Sequence, residues 1–309
     1  MIAFLFPGQG SQKVGMGKAL ADTCVEARVT FEEADGAFGG SLSGLCFDGP
    51  DDQLMLTEHT QPAIVAVSIA ATRVLAAYGI RPDIVAGHSL GEYSANVAAG
   101  TLTFADAIRT VRRRGRYMQE AVPVGHGAMA AILGLDVAMV ARACEEAAQG
   151  DVVSPANVNG PGQVVIAGTA AAVQRAGECA KALGAKRVVP LPVSAPFHCA
   201  LMKPAEARLA PDLRALSAQA PRIPIVANVD AQPKIDAASA IEALVRQVSS
   251  PVLWEDVVHR LASEGVTTYV EVGPGRVLSG LVKKIQKGAD VRAFAGPDDL
   301  EELRARPIR

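Results

Sequence analysis

A serine bracketed by glycines, Gly87-His88-Ser89-Leu90-Gly91, follows the apolar run Ile84-Val85-Ala86 and precedes a helix-forming stretch. In that context G-x-S-x-G reads as a nucleophile elbow, a strand-to-helix turn that leaves the hydroxyl exposed above a sheet. The chemistry it offers is acyl transfer through a serine ester. A turn whose serine merely caps the helix is the competing reading, and the strand before it favours the nucleophile. A serine hydroxyl is a weak nucleophile near neutral pH, so a base is required within hydrogen-bond reach. Five histidines are available. His59 and His259 lie in helix-like stretches of mixed polarity and read as surface or boundary residues, and His126 sits in a glycine loop. His88 adjoins the serine, but neighbours on a tight turn point apart, so it is expected to line the site. His198, at the end of Pro192-Val193-Ser194-Ala195-Pro196-Phe197-His198, is the candidate base.

Bringing positions 89 and 198 together is a task for the fold. Short apolar runs ending in glycine loops alternate with alanine-rich stretches of helical period, the pattern of an α/β fold whose strands are covered on both faces. Strands are expected at Ala3–Phe6 and Ile84–Ala86, and helices at Gln61–Tyr78, from near Leu90, and at Phe104–Met118. From Gly127 the rhythm changes to strand Met129–Leu133, helix Val137–Ala148, strands Val152–Asn157 and Gln163–Ala167, helix Ala170–Leu183 and strand Arg187–Leu191. That order, βαββαβ, is ferredoxin-like. The expectation is a hydrolase-like large subdomain with a parallel central sheet, residues 1–125 and 195–309, carrying a small ferredoxin-like subdomain, residues 126–194. The cleft between the two is where a ligand belongs.

At 309 residues the chain can bury a large core. Its 30 basic and 32 acidic residues leave a formal charge of −2, a balance that points to no polyanion such as nucleic acid as the main partner, and none is expected. Glycine, proline and charge break the apolar runs short of the roughly 20 residues a membrane span needs, so no membrane association is expected. The apolar stretch at Met1–Pro7, without basic residues before it and too short for a signal-peptide core, is expected to be a first buried strand. Five scattered cysteines without a CxxC pair read as reduced thiols, and a cytoplasmic protein that holds no metal and works as a monomer is expected. The charged tail from Asp298 to Arg309 reads as frayed and solvated. Arg109, Arg112, Arg113, Arg114 and Arg116 form a charge run on one helix, with Arg109 and Arg113 on one flank and Arg112 and Arg116 on another.

Several separated segments carry a resemblance to a known family: Phe6-Pro7-Gly8-Gln9-Gly10-Ser11-Gln12, Gly87-His88-Ser89-Leu90-Gly91-Glu92-Tyr93, Arg114-Gly115 with Met118-Gln119, Asn157-Val158-Asn159 before Pro161-Gly162-Gln163, Phe197-His198, and Glu271-Val272-Gly273-Pro274-Gly275. In this order they resemble the malonyl-CoA:acyl carrier protein transacylases, the loading acyltransferases of fatty-acid synthesis. The resemblance implies that Ser89 is acylated and that His198 serves as base and then as acid. It implies that a backbone carbonyl at Gln247 orients the imidazole, so that no aspartate is demanded. The amides of Gln9 and Leu90 resemble the family's oxyanion donors. The Gln9 loop lacks the lysine of a P-loop and the third glycine of a dinucleotide fingerprint, which argues against nucleotide binding there.

Within the arginine run only the resemblance singles out Arg114, as the fork that takes the malonyl carboxylate. Phe197, where related polyketide acyltransferase domains carry phenylalanine with malonyl and serine with its α-methylated counterpart, is expected to limit the space beside the acyl group. The implied substrates are malonyl-CoA and an acyl carrier protein, with no cofactor beyond the coenzyme A thioester itself. Lys181, Lys186, Arg187, Lys283, Lys284 and Lys287 are candidate basic complements to an acidic carrier. The alternatives are a standalone malonyl acyltransferase of a polyketide pathway, a serine thioesterase or hydrolase, and a non-catalytic docking module.

Overall fold

A computed structural model describes residues 1–305 apart from Ser194; that serine, at the expected end of the small subdomain, and residues 306–309 of the tail lie outside the described residues. Among the described residues ten strands form two sheets. They are β1 (Ile2–Phe6), β2 (Ile84–Gly87), β3 (Gly127–Leu133), β4 (Val153–Gly160), β5 (Gln163–Thr169), β6 (Arg187–Pro190), β7 (Ile225–Val226), β8 (Pro233–Lys234), β9 (Thr268–Val272) and β10 (Asp290–Phe294). The large sheet has the order β10-β9-β1-β2-β7-β8 and is parallel except for the β7–β8 pair. This is the mixed α/β architecture with a parallel central sheet that the alternating pattern predicts.

Both faces of the central strands are covered, which is why β1 is apolar at every position. Phe4 and Phe6 enter one core, and Ala3 and Leu5 enter the other with Trp254. The small sheet is antiparallel, with the order β4-β5-β3-β6. Its strands alternate. Ala130, Ile132, Val164 and Ile166 pack under the helices Val137–Ala148 and Ala170–Ala182, whereas Met129, Val165 and Ala167 face the main core. The edge strand β4 is tied to the large body by two backbone bonds of 2.9 Å, from Val158 N–H to the Val252 carbonyl and from Val252 N–H to the Ala156 carbonyl. The cleft is therefore walled by two elements that share a core.

Helix starts follow local chemistry. Thr103, Asp136, Thr169 and Asp236 each accept a hydrogen bond from the amide three residues on, capping the helices that begin after them. The helix expected from Gln61 instead starts at Thr57 and runs through Pro62 to Ala77. Proline sits there in the second turn, where its ring denies a donor only to the Glu58 carbonyl, and burial of the rest of the helix outweighs that loss. By length and composition, with a mean hydropathy of 1.4, this is the one described helix apolar enough to cross a membrane, yet 78% of that stretch is buried inside the fold.

The tail differs from expectation. Pro297–Ala305 is helical, Leu300 and Leu303 join the core, and Asp299 accepts from the amides of Ala295 and Gly296 while pairing with Arg276 at 2.6 Å. Two leucines three apart supply the apolar stripe that a count of charges hides.

Candidate active site

Parallel strands gather their C-terminal loops along one sheet edge, and the register places Phe6 beside Gly87 at the ends of β1 and β2. The Gln9 loop leaves β1, the Ser89 turn leaves β2, and Asn228 follows β7. The two glycines of the elbow are compelled by space: a Cβ at Gly87 would lie 2.0 Å from the Gly91 carbonyl carbon, and one at Gly91 would lie 1.9 Å from the Phe6 carbonyl oxygen. Packed so tightly, the turn holds Ser89 at φ 50°. A left-handed conformation costs a serine on the order of 1–3 kcal/mol, and its survival depends on the surrounding contacts.

The His198 backbone has the same unusual sign, φ 60°. Its Nε2 stands 2.6 Å from the Ser89 Oγ, and its Nδ1 stands 3.0 Å from the Gln247 carbonyl. Nδ1 must carry the proton to donate to that carbonyl, which leaves the Nε2 lone pair to accept from the hydroxyl. Burial, reinforced by the Arg114 charge, pushes the imidazole down to about 3 from its ordinary 6.5, so the ring is neutral at physiological pH. Positions 89 and 198 thus meet as expected, with a backbone carbonyl where a triad would have a carboxylate.

Arg114 is 2% exposed on the inner face of the helix Phe104–Ala121. It reaches the site because that helix crosses the Thr57–Ala77 helix at Gly115, where a Cβ would lie 2.6 Å from the Thr57 carbonyl oxygen. Its Nη1 donates to Gln61 Oε1 at 2.8 Å, and its Nη2 donates to Gln247 Oε1 at 2.9 Å and to Ser89 Oγ at 3.2 Å. Every one of these acceptors is neutral. Nε has no partner among the described residues, and burial lowers the pKa of the guanidinium. The other four arginines do not split into two flanks. Arg109, Arg112, Arg113 and Arg116, spaced i, i+3, i+4 and i+7, line one concave patch on the outer face with Phe38 and Glu58.

The site opens into a cavity of about 490 Å³ whose walls include Gln9, His88, Ser89, Leu90, Arg114 and Phe197. Met129 and Leu191 contribute the small-sheet side of it. Phe197 is 9% exposed and lies against this space. His88 lines the cavity and turns its Nε2 to Asn159 Oδ1 at 2.8 Å, bridging the two sheets, with its ring 5.4 Å from that of Trp254. The Ser89 amide is taken by Asn228 Oδ1 at 2.7 Å, whereas the amides of Gln9 and Leu90 find no acceptor among the described residues. His59 Nδ1 donates to the Gln53 carbonyl, 2.9 Å away, and His126 and His259 are exposed, all outside the cavity. Among the described residues, no cluster of three or more His, Cys, Asp or Glu side chains is arranged to hold a metal ion.

Four contributors went unrecognised in the sequence. Gln61, Asn228 and the Glu92 side chain are each no more than 1% exposed, and the Gln247 side chain, beyond its carbonyl, links Arg114 to Glu92. Burial pushes the Glu92 carboxyl up to about 7, with hydrogen bonds from Gln247 and Asn228 opposing the rise. Glu92 lies inside the segment quoted for the elbow, three residues after Ser89, without any sign of its burial; the positions of Gln61 and Asn228 carry no local signal.

Residues 3–296 match the family model described as acyl transferase domain. The chain is 54% identical over 284 residues to the malonyl CoA-acyl carrier protein transacylase of Salmonella typhimurium, covering 92% of each. It is 49% identical to that of Bacillus subtilis, covering 97% of this chain and 95% of the relative. The crystal structure of an acyl carrier protein S-malonyltransferase from Vibrio cholerae superposes with a TM-score of 0.96 at 49% identity, covering 98% and 99% of the two chains. With Ser89, His198 and the buried Arg114 guanidinium converging at the sheet edge, this chain belongs to the acyltransferase family, in its malonyl-CoA:acyl carrier protein transacylase branch.

Proposed function

We propose that the chain transfers a malonyl group from coenzyme A to the phosphopantetheine thiol of an acyl carrier protein, in two half-reactions that share a Ser89 ester. The observation that carries this reading is Arg114. A buried guanidinium lies 3.2 Å from the nucleophile, beside an open cleft, and forms no ion pair among the described residues. Burying an unpaired cation is costly. An acyl group with a free carboxylate supplies the missing charge, and acetyl does not.

In the first half-reaction Ser89 Oγ bonds to the thioester carbonyl carbon as its proton passes to His198 Nε2. The imidazolium so formed keeps its Nδ1–H on the Gln247 carbonyl. The negative oxygen of the tetrahedral intermediate faces the free amides of Gln9 and Leu90, each such donor being worth about 3 kcal/mol. The C–S bond then breaks, and His198 returns the proton to the departing thiolate. The second half-reaction runs the same steps backward with the carrier thiol as nucleophile, and Ser89 regains its proton. Each group needed is a side chain or amide of this chain.

Support for a carrier as acceptor comes from the relatives. A solved structure 48% identical to this chain, with a TM-score of 0.95 and 97% of both chains covered, is a type II PKS acyl-carrier protein in complex with its malonyl-transacylase. Lys181, Lys186 and Arg187 on the small subdomain and Lys283, Lys284 and Lys287 on the large body are exposed basic side chains, and Lys284 reaches Gln163 at 3.3 Å.

Intact-mass measurement tests the reading. Mixing with malonyl-CoA is expected to add one malonyl mass that disappears in Ser89→Ala and is discharged by a carrier bearing phosphopantetheine. Discharge to water alone would make the chain a hydrolase, and no added mass would leave a docking module. A panel of fatty-acid and polyketide carriers then decides which pathway's carrier is served.

A further inference from the structure

Glu92 lies in the first turn of the helix after the elbow, 1% exposed, and none of the steps above uses it. A carboxylate buried so deeply needs donors around it. Its Oε2 accepts from Gln247 Nε2 at 2.8 Å and from the Asn228 N–H at 3.0 Å. Each partner reaches a different reacting group. Gln247 accepts from Arg114 through Oε1 and holds His198 through its carbonyl. Asn228 accepts from the Ser89 N–H at 2.7 Å and donates to the Gly87 carbonyl at 2.7 Å, clamping the turn on both sides of His88.

The orientation of the Gln247 amide follows from its neighbours. The Glu92 carboxylate and the Ser89 carbonyl, 2.9 Å from Nε2, can only accept, so the NH₂ group must face them and Oε1 is left for Arg114. Turned over, the amide would set donors against the guanidinium. The Glu92 charge also favours the charged form of Arg114, and that of Arg114 favours ionised Glu92, each opposing the effect of burial.

We infer that Glu92 is a positioning residue that acts through Gln247 on Arg114 and through Asn228 on Ser89, so that one buried carboxylate sets both acyl-carboxylate recognition and nucleophile alignment. The inference rests on the transfer reaction proposed above. Its test is the rate at which Ser89 gains malonyl or acetyl from the corresponding coenzyme A thioester, followed by intact mass.

Glu92→Leu removes the acceptor at similar volume and is expected to slow both loadings and to cut the malonyl preference about tenfold or more. Glu92→Gln, whose amide oxygen can accept from both donors, is expected to recover most of the preference, a rescue that a merely structural role would not produce. Single-link variants separate the two arms: Asn228→Ala slows both acyl groups alike, and Gln247→Leu lowers the preference. Wild-type preference in a folded Glu92→Leu overturns the assignment. Where that variant does not fold, Glu92→Asp, which withdraws the carboxylate by one methylene, takes its place with the same expected and overturning results. A wild-type protein that gains no malonyl mass refutes the transfer reading instead. Labelling of Ser89 by a fluorophosphonate then decides for Glu92: slower labelling in Glu92→Leu with recovery in Glu92→Gln supports it, and equal labelling overturns it.

Discussion

The helix Phe104–Ala121 presents five arginines to two environments. On its outer face Arg109, Arg113 and Arg116 are exposed and Arg112 is half-buried, and the four meet scattered partners. Arg109 pairs with Asp106 at 2.8 Å, Arg113 with Asp212 at 3.5 Å, and the Arg112 guanidinium lies 4.1 Å above the Phe38 ring. On its inner face Arg114 meets three neutral oxygens in a cleft beside a serine. The residue type is the same and the charge is the same. What differs is solvation: water screens the outer four, whereas the inner one depends on what enters the cleft. A cation becomes a recognition device when the fold removes its water and withholds a counter-ion.

The largest effect that follows is at Arg114. Arg114→Ala is expected to slow malonyl loading of Ser89 by about a hundredfold or more, in line with losing charge-assisted hydrogen bonds, while changing acetyl loading only a few-fold. Competition between the two thioesters, read by intact mass, checks this. Equal loss for both acyl groups would assign Arg114 to the nucleophile instead of the carboxylate.

A smaller effect sharpens the electrostatic side of the comparison. Because burial and Arg114 hold His198 neutral down to about 3, the pH profile of kcat/KM for malonyl loading is expected to show its acid limb well below the ordinary histidine value of 6.5. Removing the neighbouring cation in Arg114→Gln favours the protonated ring, so that limb moves upward. An acid limb near 6.5 in the wild type would show that the cleft is wetter than the geometry implies. The same shift has a stability consequence of defined sign. The unfolded chain takes up a proton at 6.5 and the folded one only near 3, so His198 lowers stability as pH falls through that window. Glu92 acts oppositely: its unfolded carboxyl ionises near 4.5 and its folded one near 7, so it lowers stability as pH rises between those values.

The smallest effects belong to the outer face. Arg109→Ala and Arg113→Ala are each expected to leave malonyl loading within about twofold and stability within about 0.5 kcal/mol, as exposed ion pairs generally do. Chemical denaturation beside the loading assay checks both. A strong loss of loading with full stability would move the outer stripe into the function.

How much of this was legible before folding varied with the kind of signal. The elbow was readable because three local requirements coincide in five residues: a strand, a turn too tight for Cβ atoms and a helix start. Among the five histidines the setting of His198 alone points to a partner for Ser89, and its Nε2 lies 2.6 Å from the Ser89 Oγ. The order of the small sheet's elements was readable because its strands alternate and its helices keep a period of their own. Gln61, Glu92 and Asn228 were not readable, since an amide or carboxylate in a helix or loop looks the same whether it faces water or a guanidinium. The i,i+4 spacing alone divides the outer arginines into two flanks, whereas the i,i+3 spacing between them puts all four on one patch.

The chain's own order of residues therefore determined the elements, the tight glycine-bracketed turn at Ser89 and the family, all properties carried by neighbours in sequence. Tertiary structure decided which polar groups lose their water and which donors they meet. Those outcomes depend on residues far apart in the chain, such as 92, 228 and 247, and hydrogen-bond partners across a packed interior exist only once the elements that carry them have docked.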